Sequence, residues 1–319
     1  MPDFLGTKHW LGARPQTAAG VPEATVNTFL HTSKIQMDAG TELIERTATL
    51  GTGYALPSLP GWQHPSASCT CEVHASVPQP WYWALGAVNT TSPGPTARLH
   101  AITEADAPVR LTLEANKVYQ RDRQADAYVS ELQFTFKAQE IAGLDLSFLA
   151  LSHAADVVTT SVPVFTNLDP LVCSRASVSI GGAKDYTVEG GSVSYNGALD
   201  AAFGLTDQTE RQALKIRRSG VPEITASLDF LDFPKTYLDD MMAAQSFALV
   251  IELLGAIIET THRRLHRVTL PCCQFTGGLD AEIGEGLITG SAEIKAYYDP
   301  VTGRRILVES QNTVASIIT

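Results

Sequence analysis

The residues of this chain that could do chemistry are two histidines, two cysteine pairs, two groups of acids and a run of aromatics. His262 and His266 lie four apart in HRRLHR. On a helix that spacing puts both imidazoles on one face, as two ligands of a metal would need. No third ligand is specified, so the segment reads as a solvated basic face or a patch pairing with an acidic neighbour. Cys69 and Cys71 share one face of a strand and Cys272 adjoins Cys273. Neither pair is a CxxC and no nearby histidine completes a zinc set, so with Cys173 they read as small buried apolar residues in a reducing cytosol. Asp280, Glu282 and Glu285, and separately Asp229, Asp232, Asp239 and Asp240, could supply the paired carboxylates of glycoside hydrolysis. The sequence sets no separation between them, and wet acidic loops are the plainer reading. Trp81-Tyr82-Trp83 could stack on a sugar, but behind Pro80 they read as a helix packing across a sheet or into a partner.

There is no phosphate loop, dinucleotide fingerprint, HExxH, calcium loop or GxSxG elbow. GGAKDY (Gly181–Tyr186) and GEGLITG (Gly284–Gly290) are glycine-rich, but in strand-and-turn settings. The expectation is no catalytic site, no cofactor and no metal.

The elements that must position these residues are mostly strands. Leu132, Phe134 and Phe136 alternate with Glu131, Gln133, Thr135 and Lys137, and Leu144, Leu146 and Phe148 do the same twelve residues on. Val268, Leu270 and Cys272 share a face, but Pro271 and the phase change to Cys273 and Phe275 predict an edge or a bulge. FALVIELLGAII (Phe247–Ile258) predicts a buried strand, and Gly255–Arg264 is open between helix and strand extension. Helices are short: one at Pro80–Leu85, one over YLDDMMAAQ with Thr236 as cap. Residues 1–32 carry Phe4, Trp10 and Phe29 without periodicity and predict an extended arm docked on its own domain or a neighbour.

The chain also repeats itself. The segment at Ser33 has a counterpart at Ser177 (separation 144), Pro78 and Trp81 have counterparts at Pro234 and Tyr237 (156), and Glu114 and Leu132 at Glu252 and Leu270 (138). The offset changes only between elements, as insertions in surface connections would produce. The longer connections then fall at Leu50–Pro65, Ala87–Pro108 and Asn196–Pro222. The reading is an arm of residues 1–32, a first module of 33–160 and a second of 161–319. A β module duplicated without any catalytic constellation points to a repetitive surface and to assembly.

Composition agrees. The 319 residues are 44% hydrophobic and 18% charged, enough for two compact modules. No apolar run reaches the roughly 18 residues of a spanning helix, and the start lacks a secretory pattern. A net charge of −11 argues against nucleic-acid binding by phosphate neutralisation.

LGTKHWLGARPQTAAGVPEATVNTFLHTSKIQMDAG (Leu5–Gly40), ASVSIGGAKDYTVEGGSVSYNGALDAAFGL (Ala176–Leu205) and GVPEITASLDFLDFPKTYLDDMMAA (Gly220–Ala244) resemble the tail tube (major tail) proteins of long-tailed, non-contractile bacteriophages, in the form that fuses two tube modules. Pro271 departs from the pattern by sitting in a strand that should be paired. The resemblance implies a mainly β chain of two tandem sandwich or barrel modules, each with a short flanking helix. It implies stacked rings, trimeric and pseudo-hexameric, forming a channel for DNA at ejection. The implied partners are other copies of the chain, a tape-measure protein in the lumen, and tail terminator and tail-tip proteins. DNA passes without specific binding and no membrane is involved. The place is the virion tail, assembled in the host cytoplasm. Phe4, Trp10, Phe29, Trp62, Trp81, Leu205, Tyr237, Arg263 and Arg264 are the expected subunit or ring interface. The alternatives are another ring-forming virion protein, such as a baseplate hub or tail terminator, and a carbohydrate-binding β-sandwich.

Overall fold

A computed structural model describes residues 9–49, 55–117, 120–158, 161–165, 170–204, 212–231, 235–277, 281–283 and 288–318. The chain opens with β1 (Trp10–Pro15), β2 (Thr28–Leu30) and β3 (Thr32–Asp38). A hairpin of β4 (Thr41–Thr49) and β5 (Ala55–Gln63) leads to β6 (Ser66–Glu72) and helix α1 (Gln79–Leu85). Then come β7 (Gly86–Thr91), β8 (Arg98–Glu104), β9 (Leu111–Asn116), the 17-residue β10 (Arg121–Lys137), β11 (Gly143–Leu149) and β12 (Ser152–Ala154). The second half has β13 (Ala176–Ile180), β14 (Ala183–Asp185), β15 (Val188–Asn196), the hairpin β16 (Leu199–Ala202) and β17 (Lys215–Arg218), and β18 (Glu223–Phe230). It ends with α2 (Lys235–Met242), β19 (Phe247–Glu259), β20 (His262–Gly277), β21 (Ala281–Ile283), β22 (Ile288–Ala296) and β23 (Leu307–Asn312).

Eight of these strands form one antiparallel run in the order β3-β6-β11-β10-β15-β18-β22-β20. Strict alternation makes them: β6 buries Ala67, Cys69 and Cys71, and β11 buries Leu144, Leu146 and Phe148, leaving the residues between on the other face. The strands on the far side of the core belong to two groups. The first half of β10 pairs with β9 and β12, and β9 pairs with β1, which pairs with β2. The first half of β20 pairs with β19 and β23, β23 with β8, β8 with β7, and β19 with β13. The two long strands thus serve both layers of a sandwich. Each changes layer at a bulge, β10 between Gln124 and Glu131 and β20 between Leu270 and Cys273. The bulge predicted at Pro271 is this turn of the strand.

Strand order recurs between the halves. β3, the β4–β5 hairpin, β6, α1, the β9–β10 hairpin and β11 are matched in turn by β15, the β16–β17 hairpin, β18, α2, the β19–β20 hairpin and β22. In each half the last strand lies between the strand before the helix and the long strand. Glu114 stands opposite Arg123 and is ion-paired with it, and Glu252 stands opposite Arg267 in the same way. The helices repeat too: α1 lies on β10 and α2 on β20.

Two correspondences differ from the sequence comparison. β3 is matched by β15, not by the strand at Ser177, and Leu132 by Phe275, not Leu270, since these lie opposite Leu146 and Ile294 on equivalent strands. Alternating strands look alike under a slide, and only pairing fixes the register. The supposed loop at Leu50–Pro65 contains β5 of the β4–β5 hairpin, and those at Ala87–Pro108 and Asn196–Pro222 hold the β7–β8 hairpin, all but Gly86, and the β16–β17 hairpin. Gly255–Arg264 is the turn end of the β19–β20 hairpin, so its strand alternative is the correct one.

One apolar cluster runs through both halves, from Leu11 to Ile317, and includes Trp81, Trp83, Phe134, Phe148, Tyr195 and Phe230. The main-chain ladder between β10 and β15 joins the halves across it, from Glu131↔Asn196 to Lys137↔Gly190. α1 seals one side of the cluster with Trp81 and Trp83, and ends at Gly86 in a left-handed turn (φ 100°). A side chain there would meet Ala105 and the Ala107 carbonyl at 2.8 Å.

Candidate assembly surface

The core-averted face of the eight-stranded run is an ordered array of polar side chains. One register row crosses it from edge to edge: Lys34, Thr70, Asp145, Gln133, Ser194, Thr225, Lys295, Gln274. The neighbouring row holds Gln36, Ser68, Ser147, Glu131, Asn196 and Glu223. These side chains are half-buried or exposed, and half of them, Thr70, Asp145, Ser194 and Thr225 in the first row and Ser68, Ser147 and Asn196 in the second, are short. The face carries Asp38, Glu72, Glu131, Asp145, Glu223, Asp229 and Glu293 against Lys34, Lys137 and Lys295, so seven acids and three lysines give −4 of the chain's −11. Some of the charge is fixed in place. Thr70 donates to Asp145, Asn196 Nδ2 lies 3.4 Å from Glu131 Oε1, and Lys295 pairs with Glu223. That hydrogen bond to Glu223 raises the Lys295 amine above its ordinary pKa.

The run has two ends. Among the described residues β3 pairs only with β6, and the Gln274–Gly277 end of β20 pairs only with β22. At one margin the hairpins β4–β5 and β16–β17 leave the sheet side by side, where the rings of Trp62 and His64 lie 5.3 and 4.5 Å from Phe203. Leu43, Ile44 and Leu59 are exposed on the first of them.

The aromatics singled out in the sequence are distributed unevenly over this surface. Trp10 and Phe29 are 4% and 8% exposed, pack edge to face at 5.2 Å, and belong to the arm's docking on its own chain. Trp81, 1% exposed, packs 6.2 Å from Phe134. These three face the interior of the chain. Trp62 is half-buried at the hairpin base, and Arg263 and Arg264, exposed and half-buried, sit at the β19–β20 turn. Tyr237 on α2 is half-buried between Phe230 and Phe275. Burial, and then the hydrogen bond it donates to Asp185, push its hydroxyl pKa up strongly. Phe4 and Leu205 lie outside the described residues.

HRRLHR is part of strand β20, not a helix, so its histidines stand about 13 Å apart along the strand and do not converge. His266 is not on a solvated face. It is 2% exposed between Trp81 and Phe134, and burial depresses its pKa to about 4. Among the described residues neither ring nitrogen has a hydrogen-bond partner. Arg267 is held by Glu252 and Glu309. Asp239 and Asp240 lie outside the first turn of α2, which begins at Lys235 and not after a Thr236 cap.

What sequence reading missed is how the arm is fastened. Glu114, fully buried, accepts from Arg123 at 3.1 Å and from Ser161 Oγ at 3.2 Å. The Val26 amide donates to Ser161 Oγ, and Arg123 donates to the Ala24 carbonyl. Asp126 holds the Gly20 amide at 2.8 Å and pairs with Arg110. Buried main-chain groups of an irregular segment need such partners. A polar pattern on β9 and β10 that looked like ordinary alternation was the only signal of it.

The fold and this face define a mainly β structural protein of sandwich type. Its polar residues spread along strands instead of converging on a reaction centre. The sequence matches the phage tail tube protein family over residues 6–297, nearly the whole chain, and the protein belongs to that family. It is a structural component of the bacteriophage virion tail. No curated protein matches the sequence. No helix among the described residues is long and apolar enough to cross a membrane.

Proposed function

We propose that three copies close into a ring, that rings stack into the tail tube, and that the polar face of the eight-stranded run lines the channel through which DNA leaves. The observation that carries this is the edge-to-edge polar row, hydrophilic throughout and backed by core. Three copies supply 24 strands, which at about 4.8 Å spacing give a backbone diameter of at least about 37 Å. That width leaves room for a duplex inside the inward side chains. The face's net −4 becomes −12 per ring, and a wall of that sign lets phosphate slide without sticking. The recurrent strand order supports two modules, 33–160 and 161–319, behind an arm of 1–32. The paired hairpins and the turn carrying Arg263 and Arg264 suit contacts between rings. A tape-measure protein would occupy the lumen during assembly in the host cytoplasm, and terminator and tip proteins would cap the ends.

Electron microscopy of the purified protein tests the reading. Long hollow rods are expected. Discrete rings alone would favour a hub or terminator role, and a dispersed monomer that binds glycans would replace it with a carbohydrate-binding function.

A further inference from the structure

The internal junction between the halves is a template for the contact between copies. Resting on the ring reading above, we propose that Gln274–Gly277 of one copy pairs antiparallel with β3 of a second copy in the register of the β10–β15 ladder, setting Gln274 opposite Asp38 and Phe275 opposite Met37.

The register follows from equivalences already described. Glu131 lies opposite Ser147 and Gln274 opposite Lys295 at equivalent places on β11 and β22, so Gln274 takes the position of Glu131. Asn196 lies opposite Glu223, and Asp38 opposite Ser66, at equivalent places on β18 and β6, so Asp38 takes the position of Asn196. Within the chain Glu131 pairs with Asn196 and Leu132 with Tyr195. Transferring that ladder outward gives Gln274↔Asp38 and Phe275↔Met37.

Three observations support a second copy as the occupant. The first is that the open edges lie on β20 and β3, the equivalents of the two strands, β10 and β15, that are joined inside the chain. An unpaired edge backed by core is the part of a sheet most prone to add a strand. The second is burial: Val193 on β15, opposite Phe134 across the internal junction, is fully buried, whereas Ile35 in the equivalent place on β3 is only half-covered. The apolar layer is unfinished where the ladder is unfinished. The third is stagger. The row that starts at Lys34 ends at Gln274, which would then meet Asp38 of the next copy, four residues along β3. A closed barrel requires such a displacement. A head-to-tail contact of this kind closes only if the rotation per copy divides the circle.

The test is disulfide trapping in assembled tubes. Gln274→Cys and Asp38→Cys are combined in a Cys272→Ser background and oxidised. A covalent ladder that stops at three chains is expected, and Gln274→Cys with Lys34→Cys should give at least tenfold less product. Hollow rods that form without the first cross-link, or that link better at Lys34, overturn the register while leaving the tube reading in place. A ladder running past three chains overturns three-copy closure. As a second measure on the unsubstituted chain, amide exchange in 32–38 and 274–277 should slow at least tenfold on assembly. Unchanged exchange in rods refutes the edge pairing, and absence of any rod or ring from the unsubstituted chain refutes the tube reading itself.

Discussion

His266 should make the unassembled subunit acid-sensitive in a defined window. The ring is fully buried between Trp81 and Phe134 and its folded pKa is about 4, against about 6.5 in the unfolded chain. The folded state therefore binds its proton later than the unfolded state as pH falls. Above pH 6.5 neither form is protonated and the site costs nothing. Between 6.5 and 4 only the unfolded chain gains the proton, so stability is lost as pH falls, and below 4 the loss levels off. The size is about 2 kcal/mol at pH 5 and about 3 kcal/mol at the limit. His266→Leu, similar in volume, should remove this slope. The assay is urea unfolding of both proteins at pH 7.5 and pH 5, at concentrations where light scattering shows single chains, because assembly shifts apparent stability. The difference of differences isolates His266 from the carboxylates common to both. Equal losses in the two proteins on going to pH 5 would refute the reasoning.

Three further variants test the arm, the β15–β18 contact and the channel wall. Arg123→Met leaves Glu114 buried without its cation and should cost about 3–5 kcal/mol in urea unfolding, with faster amide exchange over 20–30. A loss below 1 kcal/mol would show that the pair does not fasten the arm. Gly191 lies where a β-carbon would come 2.2 Å from the Ser227 carbonyl, so Gly191→Ala should force β15 and β18 apart and cost about 1–3 kcal/mol. An unchanged urea midpoint would contradict that geometry. Glu131→Lys with Glu293→Lys shifts the charge of the proposed channel wall by +4 per chain and should slow or stall ejection. Wild-type ejection kinetics in assembled particles would remove the charge argument.

Much of the fold was legible because the signal is local. Alternation at Leu132–Phe136 and Leu144–Phe148 gave β10 and β11, Pro80 before the aromatics gave α1, and the phase change at Pro271 gave the bulge of β20. Repetition was also visible, since Glu114 and Glu252 do occupy equivalent places. Partner choice was not, because β13 and β15 both alternate and only the neighbouring strand decides which one stands for β3. The hairpin β4–β5 was hidden by Pro57 and Pro60, which look like loop punctuation. His266 looked solvated because its neighbours are arginines, yet alternate residues of a strand face opposite ways, so a basic segment can carry a core histidine. The polar face could be read strand by strand but not as a surface, because its continuity exists only after eight separate pairings are in register.

A reconstruction of the assembled tube by electron cryo-microscopy tests the central claim most directly. Three chains per ring are expected, with Thr70, Asp145, Gln133, Ser194 and Thr225 facing the lumen. Six chains per ring, or that row on the outer wall, would contradict it.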